Sequence, residues 1–586
     1  MGEGGFKVSK GLEKKVIDCD LLVIGGGLAG CFAAIRGADL GVKTVLVEKA
    51  NPMRSGAAAT GVDHIWAYFP EIQGPRGYTL DDLVEDHTDK VDGMVQQDLL
   101  RVISEQALDR IHDLEKMGVK IRYEQSKLPG KYILVRQIQC VVNTLNFDGR
   151  DMKLNMTKEV RRRGAKIVSR VMMNELVVRD GRVVGAIGIG VRDQKLYLFR
   201  SKATILCTAR ISGGRMFNEP GPGAGIAFNL RWPPSETGDG KAMAFKAGAE
   251  LINLEFSHHR VNFKNFVRGG GLPYNSYSPA GQGVNAFGDV IMPTEKEVFE
   301  DSNRGIYNAP KHKLIDELMQ GRGPIYCDLT TGTEDEIKFC EWSVSHEGGG
   351  TALLHLMEQD GIDFRKDKLE MGPGEVELGN FGAGGLYVDG DCHSTLPGLF
   401  VAGDEMGGIP MACAPGALVT GRYAAEKSIA WFKTHQAPAR FTGSDEQVQR
   451  FEANCLSMVN RKEGHRWQEA QIALNRIMNY YGLKLKTEKM IKRGLENLDD
   501  LTRHTELKAH NPHELMRCLE MQNLFLNAEL ILRGNLERKE TRKIKSMNIH
   551  LRLDYPEQDD KNWKCALSQK LENGKIVFAK RPFRRI

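Results

Sequence analysis

The apolar run from Val16 to Ile24 breaks into Gly25-Gly26-Gly27-Leu28-Ala29-Gly30 and then into a helical pattern, and a second apolar run, Lys43 to Val47, ends in Glu48. Those residue types in that order suit a dinucleotide. Gly25 permits a tight turn, Gly27 lets a pyrophosphate approach the backbone at the helix N-terminus, and Gly30 lets helix and strand pack closely, while Glu48 accepts from ribose hydroxyls. Leu28 and Ala29 inside the loop and Lys49 after the acid complete this first set of candidate cofactor contacts.

Metal chemistry finds less support. Of the 15 histidines, the close pairs are His258-His259 and His510-Asn511-Pro512-His513, neither with a third ligand at a recognised spacing. The 11 cysteines are scattered without a CxxC, so neither an iron-sulfur cluster nor structural zinc is expected in this chain. Cys19, Cys31 and Cys207 fall within apolar runs and read as small buried hydrophobes in a reducing compartment.

Composition sets the frame for these residues. A chain of 586 residues exceeds one compact core and implies several domains. Lys plus Arg number 81 against 76 Asp plus Glu, a net charge of +5 that points to neither nucleic acid nor a membrane. The N-terminus lacks the apolar core of a secretory signal, and no run approaches the ~18 apolar residues of a bilayer span. A cytoplasmic protein, at most peripheral to a membrane, is expected. Basic residues crowd the C-terminal end, from Arg542, Lys543 and Lys545 through Arg552 and Lys561 to Lys580, Arg581, Arg584 and Arg585, as a solvated face or a docking surface for an acidic partner.

The elements that must position the glycine loop follow from periodicity. After the first βαβ unit, Asn51 to Pro70 is rich in Gly and Ala, as a loop laid against a flat ligand would be. Helical spacing runs from 79 to 118 and closes at Gly118. Strand-like runs at 165–178, 182–191 and 196–207 predict a β-meander inserted into a parallel-sheet domain, its last run returning to the nucleotide at Thr208 and Ala209. Thr237-Gly238-Asp239-Gly240 precedes a helix, 250–345 is irregular as in a lid, and Gly398 to Asp404 is a strand ending in Gly403-Asp404 before a helix that starts near Gly416-Ala417-Leu418. Beyond Pro438 helices dominate; the strongest segment, Glu514 to Arg538, places Leu515, Leu519, Leu526 and Leu530 near one face. The tail from Asp554 reads as polar and basic.

Three separated segments thus converge on one nucleotide: the glycine loop, the Thr208-Ala209 return and the Gly403-Asp404 turn. A plain NAD domain has no need of the last, whereas the ribityl chain and ring of FAD extend beyond the first βαβ unit and require a second anchor, here Asp404. With Thr237-Gly238-Asp239-Gly240 added, the chain resembles the succinate dehydrogenase/fumarate reductase flavoprotein superfamily over nearly its whole length. Within it, Arg54-Ser55-Gly56-Ala57, Leu254-Glu255, Gly321-Arg322-Gly323-Pro324 and Leu536 to Arg542 leading to Asp554-Tyr555-Pro556 look most like the alpha subunit of adenylylsulfate reductase. The resemblance implies an α/β (α+β) architecture. A Rossmann-like FAD-binding domain (14–240 and 351–432) would carry an inserted capping domain (241–350), with a C-terminal helical domain and basic tail (433–586).

The resemblance also implies a redox protein that moves electrons between a small anionic substrate and a separate iron-sulfur, ferredoxin-like partner. An electron-relay adaptor without an organic substrate, or the alpha chain of a true adenylylsulfate reductase, are the alternatives. Covalent relatives link FAD through a His where this chain has Gly56, so the flavin is expected to be non-covalent. Ser55 and Ala57 flank that position. Asn262, Phe381 and Trp66 replace residues that the adenylylsulfate reductases use for their anion, and little activity on adenylylsulfate is expected. Near the flavin face the resemblance leaves His258, His259, Arg260, Arg268 and Arg304 as candidate catalytic residues, joined by His550 and Arg552 from the last domain. An arginine pair can clamp a carboxylate, sulfonate or phosphate, and a neighbouring histidine can pass a proton.

Overall fold

A computed structural model describes residues 11–59, 61–135, 144–217, 233–263, 281–292, 317–318, 320–346, 348–378, 383–436, 440–483, 486–544 and 548–586. At its centre lies a five-stranded parallel sheet in the order Leu399–Val401, Ala203–Leu206, Leu21–Ile24, Thr44–Glu48, Lys166–Ser169. The second to fourth of these strands are apolar runs buried along their whole length, as a parallel sheet covered on both faces requires. Helix Leu28–Asp39 leaves the glycine loop and packs on helix Cys413–Thr434 so closely that a Cβ on Gly421 would stand 2.2 Å from the Ala29 carbonyl oxygen.

The apolar runs at 16–24, 165–178 and 196–207 are each shared between two sheets. Lys14–Asp18, Leu196–Arg200, Arg182–Gly190 and Val171–Arg179 form a four-stranded sheet beside the parallel one. Two neighbouring chains cross together, at Cys19-Asp20 and at Ser201-Lys202. The Cys19 N–H donates to the Arg200 carbonyl (3.0 Å) and the Lys202 N–H to that of Asp20 (3.0 Å), so pairing continues through the crossing. The run at 165–178 turns at Arg170, whose φ is +63°. Helical spacing over 79–118 likewise resolves into two helices, Leu80–Lys90 and Gln97–Lys116. They are separated where Asp92 and Gly93 take positive φ. Periodicity reports burial, and these turns interrupt backbone geometry without interrupting burial.

A seven-stranded antiparallel sheet covers the other side of the molecule. Its order is Val290–Met292, Gln282–Val284, Ile325–Asp328, Leu369–Leu378, Ser257–Phe263, Asn548–His550, Arg542–Lys543. It has its own core, in which Phe263, Ile325, Ile337, Phe364 and Met371 pack with helices Glu334–Ser345 and Gly348–Gln359. The last two strands come from the C-terminal region, so this sheet joins residues 257–378 to the end of the chain.

The C-terminal region packs helices Glu446–Val459, Trp467–Tyr481, Glu488–His504 and Pro512–Glu537. Leu515, Leu519, Leu524, Leu530 and Leu532 are all buried, and the last helix is enclosed on most of its circumference rather than along one stripe. The polar tail contains a hairpin, Ala566–Glu572 with Lys575–Arg581, which pairs with Leu251–Ile252. Among the described residues, no helix is long and apolar enough to cross a membrane.

Candidate functional site

The glycine loop has the geometry its sequence implies. Gly25 takes φ +101°, and a Cβ there would stand 2.4 Å from the Cys207 carbonyl oxygen. A Cβ on Gly30 would meet the Gly25 carbonyl oxygen at 1.8 Å. Gly27 differs: it is the N-cap of helix Leu28–Asp39, and among the described residues no side chain caps it and a Cβ there meets nothing within 4 Å, so that the space in front of the helix N-terminus is open to them. Glu48 is buried and accepts from the Gly26 N–H (2.6 Å) and the Ala50 N–H (2.7 Å), which aims its carboxylate at the loop. The buried Lys153 ammonium donates to the Gly26 carbonyl from helix Met152–Arg162, a support that sequence reasoning missed.

Other predicted segments close around the same space. Gly56, at φ +75°, lies against the loop, where its Cβ would be 3.3 Å from Gly27 Cα. Beside it the buried Ser55 hydroxyl has no partner among the described residues. Gly403, at φ +67°, faces Ala29 and Ala417. Its N–H donates to Thr420 Oγ1 (2.9 Å), which in turn donates to the Gly416 carbonyl (2.6 Å), so Gly416, Ala417 and Leu418 and the Gly403-Asp404 turn form one wall. An unpartnered buried hydroxyl, an open helix N-terminus and glycines that leave a cradle are what FAD would need from this chain.

Thr208 and Ala209 stand beside the Gly403-Asp404 turn, at the end of the neighbouring strand. Ala209 has φ +67°, a left-handed conformation that is costly for a residue with a side chain. Arg210 pairs with Asp404, so the predicted anchor carboxylate is already oriented by a guanidinium. The Thr208 hydroxyl donates to the wholly buried Glu405, which also pairs with the wholly buried Lys241 (3.3 Å). Neither Lys241 nor Glu405 was anticipated; the signal was an unpaired sign of charge inside two small-residue motifs, Gly-Asp-Gly-Lys-Ala and Gly-Asp-Glu.

Lys49 and Asp239 go elsewhere. The Lys49 ammonium donates to Asp239 (2.8 Å), Thr237 (3.0 Å) and Glu520 (2.7 Å) of helix Pro512–Glu537. Asp239 also accepts from Asn523 (2.8 Å), and Glu520 from Arg215 (2.9 Å) and Arg517 (2.8 Å). Burial works against the charge on Glu520, yet Lys49, Arg215 and Arg517 hold its carboxyl at about 2. The cluster ties the C-terminal helix to the nucleotide domain.

Of the residues expected to meet a substrate, His258, His259 and Arg260 lie on strand Ser257–Phe263, the first two opposite Glu377 and Val376. Their side chains, and that of Asn262, lie outside the described structure, as do Arg268, Arg304 and Phe381 entirely. Trp66 is buried and donates from Nε1 to the Met411 carbonyl (3.3 Å). His550 is not a cation facing a ligand space. Burial, then Lys486 and Arg538, push its imidazole well below the ordinary range, and Nε2 faces the Arg538 carbonyl (3.2 Å). Arg552 is spent on Asp554 (2.8 Å) and on the carbonyls of Asn535 (2.7 Å) and Arg538 (3.1 Å) at the end of a helix. The basic tail is thinner at the surface than its composition suggests. Arg542 and Arg552 are wholly buried among acids, Arg581 pairs with Glu250 (2.6 Å) and Arg584 with Asp98 (2.6 Å), leaving Lys543, Lys561, Lys580 and Arg585 exposed. Lys545 lies outside the described residues.

Comparison with known proteins agrees with the cradle. Residues 20–261 match the FAD binding domain family, and residues 471–584 match the fumarate reductase flavoprotein C-terminal family. One of the subunits of the CoM/CoB fumarate reductase of Methanothermobacter marburgensis is 26% identical, over 96% of this chain and 99% of that protein. The alpha subunit of adenylylsulfate reductase from Megalodesulfovibrio gigas is 22% identical, over 97% of this chain and 96% of its own. The structure of adenylylsulfate reductase from Archaeoglobus fulgidus superposes with a TM-score of 0.84 at 26% identity, covering 99% of both chains.

Proposed function

We propose that this chain, an FAD-dependent oxidoreductase of the succinate dehydrogenase/fumarate reductase flavoprotein superfamily, is the flavin-bearing half of a two-component redox enzyme. It moves electrons between a small anionic substrate and a separate iron-sulfur partner. The observation that carries the reading is the cradle itself: among the described residues, an open helix N-terminus at Gly27, an unpartnered Ser55 hydroxyl and the Gly403 turn. FAD, when bound, supplies hydride and single-electron chemistry.

The chain's own residues then divide the work. Gly25, Gly27, Leu28, Ala29 and Gly30 present backbone to the pyrophosphate, Glu48 takes the ribose hydroxyls and Asp404 the ribityl chain. Ser55, Gly56 and Ala57, Thr208 and Ala209, and Gly416 to Leu418 would supply the remaining contacts to the cofactor. His258, His259 and Arg260 of strand Ser257–Phe263, with Arg268 and Arg304, are the residues that would clamp the substrate anion. A histidine there holds or passes the proton that accompanies hydride transfer, and the cap excludes water.

Support for the partner comes from the relatives, which are named as subunits, and from cysteines scattered singly along this chain, so that a thiolate cluster is expected on another one. Purification of the native complex with iron analysis tests the proposal. A flavoprotein that elutes alone, carries no iron and turns over with a nicotinamide as sole donor would remove the partner.

A further inference from the structure

We infer that Lys241 and Glu405 are a positioning pair for the flavin, cross-bracing the two turns that flank the cradle. The inference rests on the FAD reading of the site and adds to it residues that touch none of the fingerprint motifs' usual contacts. The two turns, 207–210 and 403–405, leave neighbouring strands of the parallel sheet, Ala203–Leu206 and Leu399–Val401. One abuts the glycine loop at Gly25 and the other abuts the fingerprint helix at Ala29.

Lys241 enters between them from helix Asp239–Lys246. Its ammonium has three donors, and three acceptors receive them: the Ala209 carbonyl (2.7 Å), the Asp404 carbonyl (3.4 Å) and Glu405 Oε1 (3.3 Å). Glu405 Oε2 accepts the Thr208 hydroxyl. Both side chains are wholly buried, so each charge depends on the other. The shortest of the three bonds goes to the carbonyl of Ala209, the residue held at φ +67°. Gly240 explains its own identity here, since a Cβ would stand 2.1 Å from Thr208 Oγ1 and 2.7 Å from Glu405 Oε2. Arg210 with Asp404 makes a second brace between the same turns.

A buried ion pair is weak evidence for stability, because well-packed apolar residues often replace one without loss. What an apolar pair cannot do is hold the Ala209 and Asp404 carbonyls. Without the ammonium, Ala209 relaxes from its left-handed conformation and the turn beside Gly403 shifts.

The test compares wild type with Lys241→Met/Glu405→Leu, measuring thermal unfolding of the flavin-free protein and FAD binding by fluorescence titration. The double variant is expected to unfold within a few degrees of wild type, to bind FAD at least ten-fold more weakly and to show a shifted flavin absorption spectrum. Adding Ala209→Gly, which accepts that φ without strain, is expected to recover at least three-fold of the lost affinity. Wild-type affinity and spectrum in the double variant overturn the inference, as does the absence of recovery with Gly. If the apolar pair does not fold, Lys241→Gln/Glu405→Gln decides by the same measurements. Wild-type protein is titrated first: failure to take up FAD there overturns the cofactor reading, which separates the two failures.

Discussion

Two regions of this protein bury charge completely, and they do so to different ends. In the cradle, Lys241 spends two of its hydrogen bonds on the main chain of two turns and Glu405 accepts the Thr208 hydroxyl of one of them, beside a space that no described side chain fills. At the junction of cap and C-terminus, charges close on one another. Arg538 pairs with Glu255 (2.7 Å) and Glu540 (3.0 Å), between the rings of Phe256 and Trp563, and Arg542 shares Glu540 (2.8 Å). The first arrangement shapes a receptor; the second fastens strand Asn548–His550 and its neighbours to the capping sheet. Buried charge by itself does not mark a ligand site, and what the charges leave open does.

The largest expected effect separates the two regions directly. Glu540→Ala removes the acid that two wholly buried guanidiniums share, leaving Arg538 on Glu255 and Arg542 on Asp92 and Asp560, and should cost about 3–5 kcal/mol in urea unfolding, with the flavin-to-protein ratio of folded molecules unchanged. Loss of flavin with little loss of stability would break the comparison.

Lys486→Met probes the junction through pH. Burial, with Arg552 adding and Glu255 opposing, holds the Lys486 ammonium at about 7. That lies below its unfolded value of roughly 10.4, so the folded chain binds this proton less tightly than the unfolded chain does. The cost of burying Lys486 is full below about pH 7 and fades as pH rises toward the unfolded value. The methionine variant should therefore be more stable by on the order of 2–4 kcal/mol at pH 6 and nearly equal to wild type at pH 10. An equal gain at both pH values would assign the effect to packing alone.

Glycine substitutions sharpen the cradle. Gly30→Ala forces a Cβ against the Gly25 carbonyl oxygen and should cost about 1–3 kcal/mol. Gly27→Ala meets open space and should leave the flavin-free protein within about 0.5 kcal/mol of wild type while FAD affinity falls at least ten-fold. Unchanged FAD affinity would move the cofactor away from this helix N-terminus. The smallest intervention changes no residue: with Gly56 where covalent relatives carry histidine, acid precipitation should leave the yellow colour in the supernatant, and flavin retained in the pellet would contradict a non-covalent site.

The cradle was legible in sequence because its requirements are local. Gly25, Gly27 and Gly30 answer to the backbone within a few residues, and Glu48 follows on the next strand. The junction was not, because Glu255 and Arg538 lie far apart in the chain and composition shows only their charges. The tail was misjudged for another reason: Asn573 and Gly574, with φ of +49° and +75°, are a hairpin turn legible as Asn-Gly, but the flanking lysines and arginines masked the alternation. Long-range counting of basic residues likewise mistook Arg542 and Arg552 for surface.

By itself the sequence determined that a parallel sheet would end in a glycine loop facing a nucleotide, since glycine positions and strand hydrophobicity act over short range. It also pointed to a second anchor downstream at Gly403-Asp404, a turn that the structure brings against the fingerprint helix at Ala29. Only the tertiary structure decided that Asp404 is oriented by Arg210, that Lys49 and Asp239 serve the C-terminal helix, and that Lys241 and Glu405 meet between two turns. The physical reason is that a charge's role depends on which partner burial brings within about 3 Å, and burial is a property of the assembled chain.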